Sequence, residues 1–245
     1  MSNIKFGCEV YTWFMDEWGE VYKDKLDHMM GVAKKAGFTG IEPMHFWLGK
    51  FSTADTLGAA LKENDINLAG IALVLDWLNP EETEEEIAKA DDCIALCKEF
   101  GAMCCTVQMP TERPSDEGEL HQRRQNLIDC VNAVHRRAHA AGVGASFHPN
   151  SPETSINRTE ADYDHILPGL DAGVGGWTPD VGHIHNGGMD ALTKMKQYAD
   201  LVNHVHYKDW NPPADGDNWA ITGEGTVDFP AITQWLVDQN FDGWI

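Results

Sequence analysis

Basic residues are scarce in this chain of 245 residues, in which 18 lysines and arginines face 39 aspartates and glutamates for a formal charge of −21. A surface of that sign repels phosphate backbones and anionic lipids, so we expect neither nucleic acid nor a membrane surface as a partner. Long apolar runs are also missing. No run approaches the roughly 20 residues that cross a bilayer, and residues 1–5 lack the apolar core of a secretion signal. These absences predict a cytoplasmic protein.

Cysteine spacing excludes a second set of protein classes. The six cysteines contain no C-x-x-C pair and show none of the spacing of a secreted disulfide scaffold. We therefore expect reduced and mostly buried thiols.

The patterns that are present alternate between strand-like and helix-like segments, which predicts an α/β fold of parallel strands joined by crossover helices. The length suits one (β/α)8 TIM barrel, and no repeat or linker suggests a second domain, so residues 1–245 are expected to form a single barrel domain. Strands are predicted at residues 4–10, 40–42, 66–75, 103–108, 143–148, about 174–180 and 202–206. Helices are predicted at about 23–36, after Pro80, at 120–141 and at about 190–198.

The eighth unit of the barrel looks incomplete in the sequence. Asp228 is the predicted N-cap of the last helix, and residues 241–245 read as the start of the eighth strand. We expect a barrel that lacks the end of strand 8 and its covering helix. Either the native chain continues past Ile245, which we hypothesise, or a second copy covers the exposed surface in a homo-oligomer.

Three predicted strands in succession end in a potential metal ligand, namely His148, Asp180 and His206. Taken singly, Asp180 could cap a turn and the histidines could be packed in the core, but three such strand ends favour one divalent ion. We expect His204 and His206 to point to opposite sides of their strand, with His206 facing the barrel axis. A mixed imidazole and carboxylate set favours Mn, Co or Zn over Mg.

Other polar residues near strand ends are candidates for acid–base chemistry. Glu42 could be a general base, could bind sugar hydroxyls or could form an ordinary salt bridge, and Glu153 is equally ambiguous. Lys208 follows His206 on the same face, where it could stabilise an enolate or remain solvated. The candidate substrate contacts are His183, His45 and the aromatics Trp13 and Trp77, which core packing explains about as well.

Several of these segments together carry a family resemblance. Residues 36–42 (AGFTGIE), the D-x-x-H of Asp180 and His183, residues 204–209 (HVHYKD) and residues 223–228 (GEGTVD) followed by 241–244 (FDGW) resemble the xylose isomerase-like TIM barrel superfamily. Sugar phosphate isomerase/epimerase-type proteins and inosose dehydratases are the nearest matches, and the similarity extends over essentially the whole chain.

The resemblance implies a divalent ion held by strands five to eight. Carried over by position, its ligands are His148, Asp180 and His206, and His183 corresponds to a substrate-binding histidine. Two departures stand out. Ketose epimerases of the family have Glu where this chain has His148, and the strand-eight Glu ligand would lie beyond Ile245. The resemblance therefore supplies neither the two-glutamate proton shuttle nor the fourth ligand.

These features predict a divalent-metal-dependent isomerase or epimerase that abstracts the proton next to a carbonyl and passes through an enediolate. The scarcity of cations near strand ends favours an unphosphorylated keto-sugar or cyclitol as the small-molecule substrate. An inosose dehydratase-like lyase with the same enolate chemistry and a catalytically incomplete sugar-binding barrel remain alternatives. An endonuclease IV-like DNA repair enzyme shares the superfamily, but the charge of −21 counts against it.

Overall fold

The structure is a computed structural model that describes residues 3–13, 24–212 and 219–245. Strands and helices alternate along most of the chain. The strands are β1 (Gly7–Glu9), β2 (Gly40–Glu42), β3 (Asn67–Leu68), β4 (Gly70–Leu75), β5 (Met103–Gln108), β6 (Ala145–His148), β7 (Gly176–Trp177), β8 (Asp209–Trp210) and β9 (Trp219–Ala220). The α-helices are α1 (Leu26–Ala36), α2 (Ala54–Asn64), α3 (Glu84–Phe100), α4 (Glu117–Ala140), α5 (Glu160–Ile166), α6 (Val181–Asn186), α7 (Ala191–Gln197) and α8 (Phe229–Asp238).

Parallel pairing runs around a ring of strands. β1, β2 and β3 form one sheet and β4 to β7 form a second, with parallel pairing throughout. A bridge from Met44 to Ala72 joins the two sheets. Beyond β7 the ring continues through bridges from Trp177 to Val202 and from Asp180 to His206.

The last residues of the chain close this ring. Trp244 bridges Lys5 in parallel, and the Ile245 N–H donates to Lys5 O at 2.9 Å. On the other side, the Val205 N–H donates to Trp244 O at 3.2 Å. Residues 243–245 therefore lie between the segment that contains Lys5 and the segment at 202–206, where they take the place of the eighth strand of the barrel. The TIM barrel predicted from the sequence is confirmed.

Three predicted strands are shorter in the structure, at 7–9, 145–148 and 176–177, and two others are interrupted. The predicted strand at 66–75 is divided into β3, which pairs with β2, and β4, which pairs with β5, because a barrel staggers the register of neighbouring strands. The predicted strand at 202–206 is reduced to isolated bridges. The bridge partners are three residues apart on one side, from Trp177 to Asp180, and four residues apart on the other, from Val202 to His206. The second segment therefore contains one extra residue, which interrupts the ladder as a β-bulge does.

The helices match the sequence patterns more closely. α1 begins at Leu26, three residues after the predicted start at position 23, which lies outside the described residues, and it ends at Gly37 with φ 101°. α2, which the sequence patterns did not predict, and α3 both begin with a capping box, at Thr53 and Thr83. Asp228 caps α8 as predicted, since its side chain accepts the Ala231 N–H at 3.0 Å.

The barrel core is continuous and takes up most of the cysteines. Five of the six thiols are buried and Cys8 is half-buried, as expected from the sequence. In the described part of the chain, no helix combines the length and apolarity of a membrane span.

Asp209 holds the GEGTVD segment, residues 223–228, in place. Its carboxylate accepts the backbone N–H groups of Gly223 and Gly225, each at 2.8 Å, and of Val227 at 3.2 Å. A Cβ on Gly225 would lie 2.2 Å from Asp209 Oδ1, so this position needs glycine. The GEGTVD segment is therefore a loop that the Asp209 side chain holds against β8.

Gly40 provides a test of how tightly the ring closes. A Cβ at this position would lie 2.5 Å from the Trp244 ring, so Gly40→Ala forces the eighth strand outward. We expect a loss of about 1–3 kcal/mol in the free energy of unfolding, measured by denaturant titration. The matched control is Gly58→Ala on α2, where the nearest atom is 3.3 Å away on the Phe100 ring and helix propensity favours alanine. Equal stabilities for the two variants would contradict the tight closure.

Candidate metal centre and active site

Three side chains predicted as ligands meet at the C-terminal end of the barrel. His148 ends β6, Asp180 follows β7, and His206 lies on the next segment, where it bridges Asp180. His148 Nε2 is 3.5 Å from Asp180 Oδ2, and the His148 and His206 ring centroids are 4.8 Å apart. One potential ligand atom from each residue lies within 4.8 Å of the other two. The structure thus gathers the three residues into one cluster.

The geometry and donor types of this cluster fit a divalent ion. Two ligand atoms bound about 2.1 Å from one tetrahedral ion lie roughly 3.4 Å apart, close to the separation of His148 Nε2 and Asp180 Oδ2. His148 is buried and His206 half-buried. Two imidazoles and a carboxylate suit Zn, Mn or Co better than an all-oxygen ion such as Mg.

Asp180 caps a helix and also places one carboxylate oxygen in the cluster. Its Oδ1 accepts the His183 N–H at 2.9 Å and caps α6, while Oδ2 faces His148. Although burial opposes it, the neighbouring His183 and His148 hold the pKa of Asp180 well below its ordinary value. The cap fixes the carboxylate, and its free oxygen points into the cluster as an anion.

His204 and His206 face the same side, contrary to the expectation that they point in opposite directions. Both bond to one carboxylate: His204 Nε2 donates to Glu42 Oε2 at 2.7 Å, and His206 Nε2 donates to Oε1 at 3.1 Å. The expectation was wrong because side chains alternate with a period of two, so positions i and i+2 share a face. Both imidazoles therefore point toward the barrel axis.

Glu42 and His206 form a buried ion pair beside the cluster. Despite burial, the charges of His206 and His204 hold the pKa of Glu42 well below its ordinary range. Burial lowers the pKa of His206, but Glu42 and Asp180 overcome that effect and raise it to about 9. The carboxylates of Glu42 and Asp180 beside His206 thus favour positive charge in this part of the barrel. Cys105, with Glu42 and His206, forms a second, overlapping group of potential ligands.

His183 presents a defined hydrogen-bond donor. Asn186 Nδ2 donates to Ser151 Oγ at 2.8 Å. The Ser151 hydroxyl lies 2.7 Å from His183 Nδ1, and this nitrogen is the acceptor for the hydroxyl proton among the described residues. Burial holds the pKa of His183 well below its ordinary value, so the ring is neutral. Its single proton is therefore on Nε2, the nitrogen 3.8 Å from Asp180 Oδ2.

Lys208 lies against two aromatic rings at the rim of the site. Its Nζ is 3.8 Å from the Trp219 ring centroid and 5.4 Å from that of Tyr11. Its charge lowers the pKa of Asp180 and of His183, although it is not the largest effect on either. The backbone of Lys208 packs closely against Gly182 of α6, where a Cβ would lie 2.7 Å from Lys208 O.

Other predicted site residues lie elsewhere. Glu153 is exposed in the loop after β6. Trp77 is fully buried in the core, and Trp13 is half-buried and packs on that core. His45 lies in a 3-10 turn, and burial lowers its pKa. Of the nearby charges on α3, Asp92 raises this pKa and Lys89 lowers it. No contact joins these four described residues to His148, Asp180 or His206, and their roles in the site stay predictions.

Sequence reasoning missed three residues near the cluster: Glu9 at the end of β1, His204, and Ser151 beside His183. Glu9 satisfies the strand-end rule that identified His148, but a lone glutamate on a short first strand carries no further signal. Ser151 could not be found from the sequence, because its contact with His183 spans 32 positions.

Comparisons with known proteins agree with this architecture. A family model described as "Xylose isomerase-like TIM barrel" matches residues 30–245. The inosose dehydratase of Lactiplantibacillus plantarum is 23% identical over 274 aligned positions, which span 100% of this chain and 88% of that protein.

Two solved structures share the fold. The IolI protein with a bound zinc atom superposes with a TM-score of 0.75 at 18% identity, covering 98% of this chain and 87% of that one. The 3-keto-D-glucoside 4-epimerase YcjR from E. coli superposes with a TM-score of 0.70 at 18% identity, covering 99% and 90%. Because the family model matches most of the chain, this protein belongs to the xylose isomerase-like TIM barrel family.

Proposed function

We propose that residues 1–245 act as one barrel domain of a divalent-metal-dependent lyase that dehydrates an unphosphorylated keto-cyclitol or keto-sugar. The observation that carries this proposal is the cluster of His148, Asp180 and His206 at the catalytic end of the barrel. The similarity to an inosose dehydratase along the whole chain supports a keto-cyclitol as substrate. The ion is Mn, Co or Zn rather than Mg, a preference supported by the donor types.

The residues around the cluster divide the remaining tasks. A divalent ion held by His148, Asp180 and His206 would supply Lewis-acid polarisation of the ketone. The Lys208 ammonium stabilises negative charge that develops on the substrate oxygen. His183 donates from Nε2 to a substrate hydroxyl. Glu42 occupies both of its oxygens with His204 and His206, an arrangement that suits orienting His206 better than accepting a proton.

An unphosphorylated substrate follows from the charge of the site. Lys208 places one basic side chain at this rim, over Trp219 and Tyr11. Asp180 and Glu42 are anionic, and the whole chain carries a charge of −21. The carboxylates of Asp180 and Glu42 would repel a phosphate group, whereas neutral hydroxyls match the hydrogen-bonding groups present.

Isomerisation or epimerisation is the second candidate, supported by the fold shared with a 3-keto-D-glucoside 4-epimerase. Both reactions begin with removal of the proton next to the ketone. Epimerisation then needs a proton donor on the opposite face of the carbon. His148 replaces the carboxylate that would serve there in the related ketose epimerases, so elimination of a β-hydroxyl is the better supported outcome.

Proton NMR in D2O tests the two outcomes with the zinc-loaded protein and two substrates, an inosose and a 3-keto-D-glucoside. A dehydratase produces an unsaturated ketone or its diketone tautomer with loss of a carbinol signal. An epimerase produces a stereoisomer with deuterium at the inverted carbon. If neither product forms and the substrate takes up no deuterium, the proposed function is contradicted.

Ser151→Ala tests the donor role of His183. Loss of the hydroxyl that holds Nδ1 lets the imidazole adopt the other tautomer, so we expect KM for the keto-cyclitol to rise about 5- to 10-fold, the equivalent of one hydrogen bond. Steady-state kinetics provide the measurement. The control is Ser155→Ala, a buried serine whose hydroxyl donates to Asn157 instead. Equal KM values for the two variants would contradict the assignment.

A further inference from the structure

Glu9 faces the inside of the barrel beside Glu42. It is the last residue of β1, and the parallel register places Glu9 directly opposite Glu42 on β2. Residues opposite each other on neighbouring strands share a face of the sheet. Glu42 points toward the axis, because it bonds to His204 and His206 across the barrel. Glu9 therefore points inward as well, at the C-terminal end where the ligand cluster lies.

The carboxyl group of Glu9 is oriented by one hydrogen bond and is only partly buried. Its Oε2 accepts the Tyr11 N–H at 2.7 Å, and no other hydrogen bond reaches this carboxyl from residues 3–13, 24–212 or 219–245. Glu9 is half-buried, whereas Glu42 is 3% exposed and has both oxygens occupied. Of the two inward glutamates, Glu9 is the one that a molecule in the mouth of the barrel can reach.

The surroundings separate the two acids chemically. Burial raises the pKa of Glu9 to about 8; His206 opposes this effect, Glu42 adds to it, and Lys208 opposes it more weakly. Glu42, by contrast, is held ionised by its two histidines. Two facing carboxyl groups with pKa values pushed apart are typical of an acid–base residue beside a permanently charged partner. A group that titrates near neutral pH can both accept and donate a proton.

We propose that Glu9 is the proton-transfer residue of this site, taking the proton next to the substrate ketone and giving it to the departing β-hydroxyl. This assignment rests on the proposed function. In the first half, the C–H bond breaks, its proton goes to the Glu9 carboxylate, and its electron pair forms the carbon–carbon double bond of the enolate.

In the second half, the enolate oxygen re-forms the ketone, the electron pair of the enolate double bond forms a double bond between the α- and β-carbons, and the β-carbon–oxygen bond breaks with its electron pair on oxygen. The proton on Glu9 passes to that oxygen, so water leaves and Glu9 is again a carboxylate. The cycle needs neither an oxidant nor a second acid. A single residue of this kind accounts for a site in which His148 stands where the related epimerases have a second glutamate.

Glu9→Gln tests the proposal, because it keeps the shape and the Tyr11 hydrogen bond but removes the titrating group. The zinc-loaded protein is incubated with an inosose in D2O, and NMR follows deuterium uptake next to the ketone and the rate of product formation. We expect both rates to fall on the order of 10²- to 10⁴-fold, with about one equivalent of zinc retained. Glu9→Asp should recover part of the rate, and Glu63→Gln, an exposed glutamate on α2, should leave it unchanged.

The outcomes separate the two proposals. If wild type turns over the inosose and Glu9→Gln stays within threefold of it, Glu9 is not the proton-transfer residue. Loss of both rates in Glu42→Gln with zinc retained, and not in Glu9→Gln, would assign the role to Glu42. If wild type shows neither exchange nor product with the inosose or with a 3-keto-D-glucoside, the proposed function fails and the role of Glu9 fails with it.

Discussion

Asp180→Asn is expected to weaken divalent-metal binding by at least about 100-fold and to abolish turnover. Loss of an outer hydrogen-bonding partner of a metal ligand costs 10- to 100-fold in affinity, and loss of the anionic ligand itself costs more. The free carboxylate oxygen, Oδ2, faces His148 at 3.5 Å and is the anionic member of the cluster. Isothermal titration with Zn²⁺ and metal analysis of the purified protein provide the measurement.

The chain contains a matched control for this substitution. Asp190 caps α7 through the Thr193 N–H at 2.8 Å, as Asp180 caps α6 through the His183 N–H. Asparagine is as good an N-cap as aspartate, so neither variant should lose its helix. We expect Asp190→Asn to bind metal like wild type. Equal zinc affinity in the two variants would contradict Asp180 as a ligand.

The metal-free protein is expected to lose roughly 3–5 kcal/mol of stability between about pH 6.5 and pH 9, at the rate of 1.36 kcal/mol per unit of pKa shift. Two groups cause this loss. Glu9 has its pKa raised from 4.5 to about 8, chiefly by burial. Against the effect of burial, Glu42 and Asp180 raise the pKa of His206 from 6.5 to about 9.

The direction follows from the protons bound in each state. A raised pKa means that the folded protein holds protons that the unfolded chain has released, so stability falls as pH rises. The contribution of Glu9 is complete below pH 4.5 and is lost by about pH 8, and that of His206 is complete below pH 6.5 and is lost by about pH 9. Asp180 and His135 have lowered pKa values and act in the opposite direction, but only at lower pH.

Urea titrations of the chelator-treated protein at pH 6.5, 8 and 9 measure this loss. Glu9→Gln cannot titrate at position 9, so its stability should fall less steeply over the same range. Saturating Zn²⁺ should also flatten the curve, because the ion replaces the proton on His206. A free energy of unfolding that stays constant or rises from pH 6.5 to pH 9 would contradict the charge arrangement described for the barrel interior.

The sequence predicted those parts of the fold that depend on local patterns. Gly37 and Asp228 mark the helix boundaries where the structure has them, because caps act within a few residues. The predicted strand at 40–42 coincides with β2. The split of residues 66–75 and the interruption between Val202 and His206 could not be predicted, since both depend on the register with a neighbouring strand.

The candidate site also has a part that the sequence predicted and a part that it did not. His148, Asp180 and His206 were identified because each ends a predicted strand, and parallel strands in a barrel end on one face. His45 and Trp77 also lie near strand ends, but their side chains pack toward α3 and into the core. A strand-end position alone does not decide on which side of the sheet a side chain lies.

The sequence by itself determined the barrel and the order of its elements, and it predicted the three residues that the structure gathers into one cluster, because periodicity, capping and the order of strand ends are properties of neighbouring residues. Only the tertiary structure decided that Glu42 joins His204 and His206 and that Glu9 stands beside Glu42. It also decided that Ser151 sets the proton on His183. These contacts join residues from different strands and loops, and their chemistry depends on burial and on charges that lie far away in the chain.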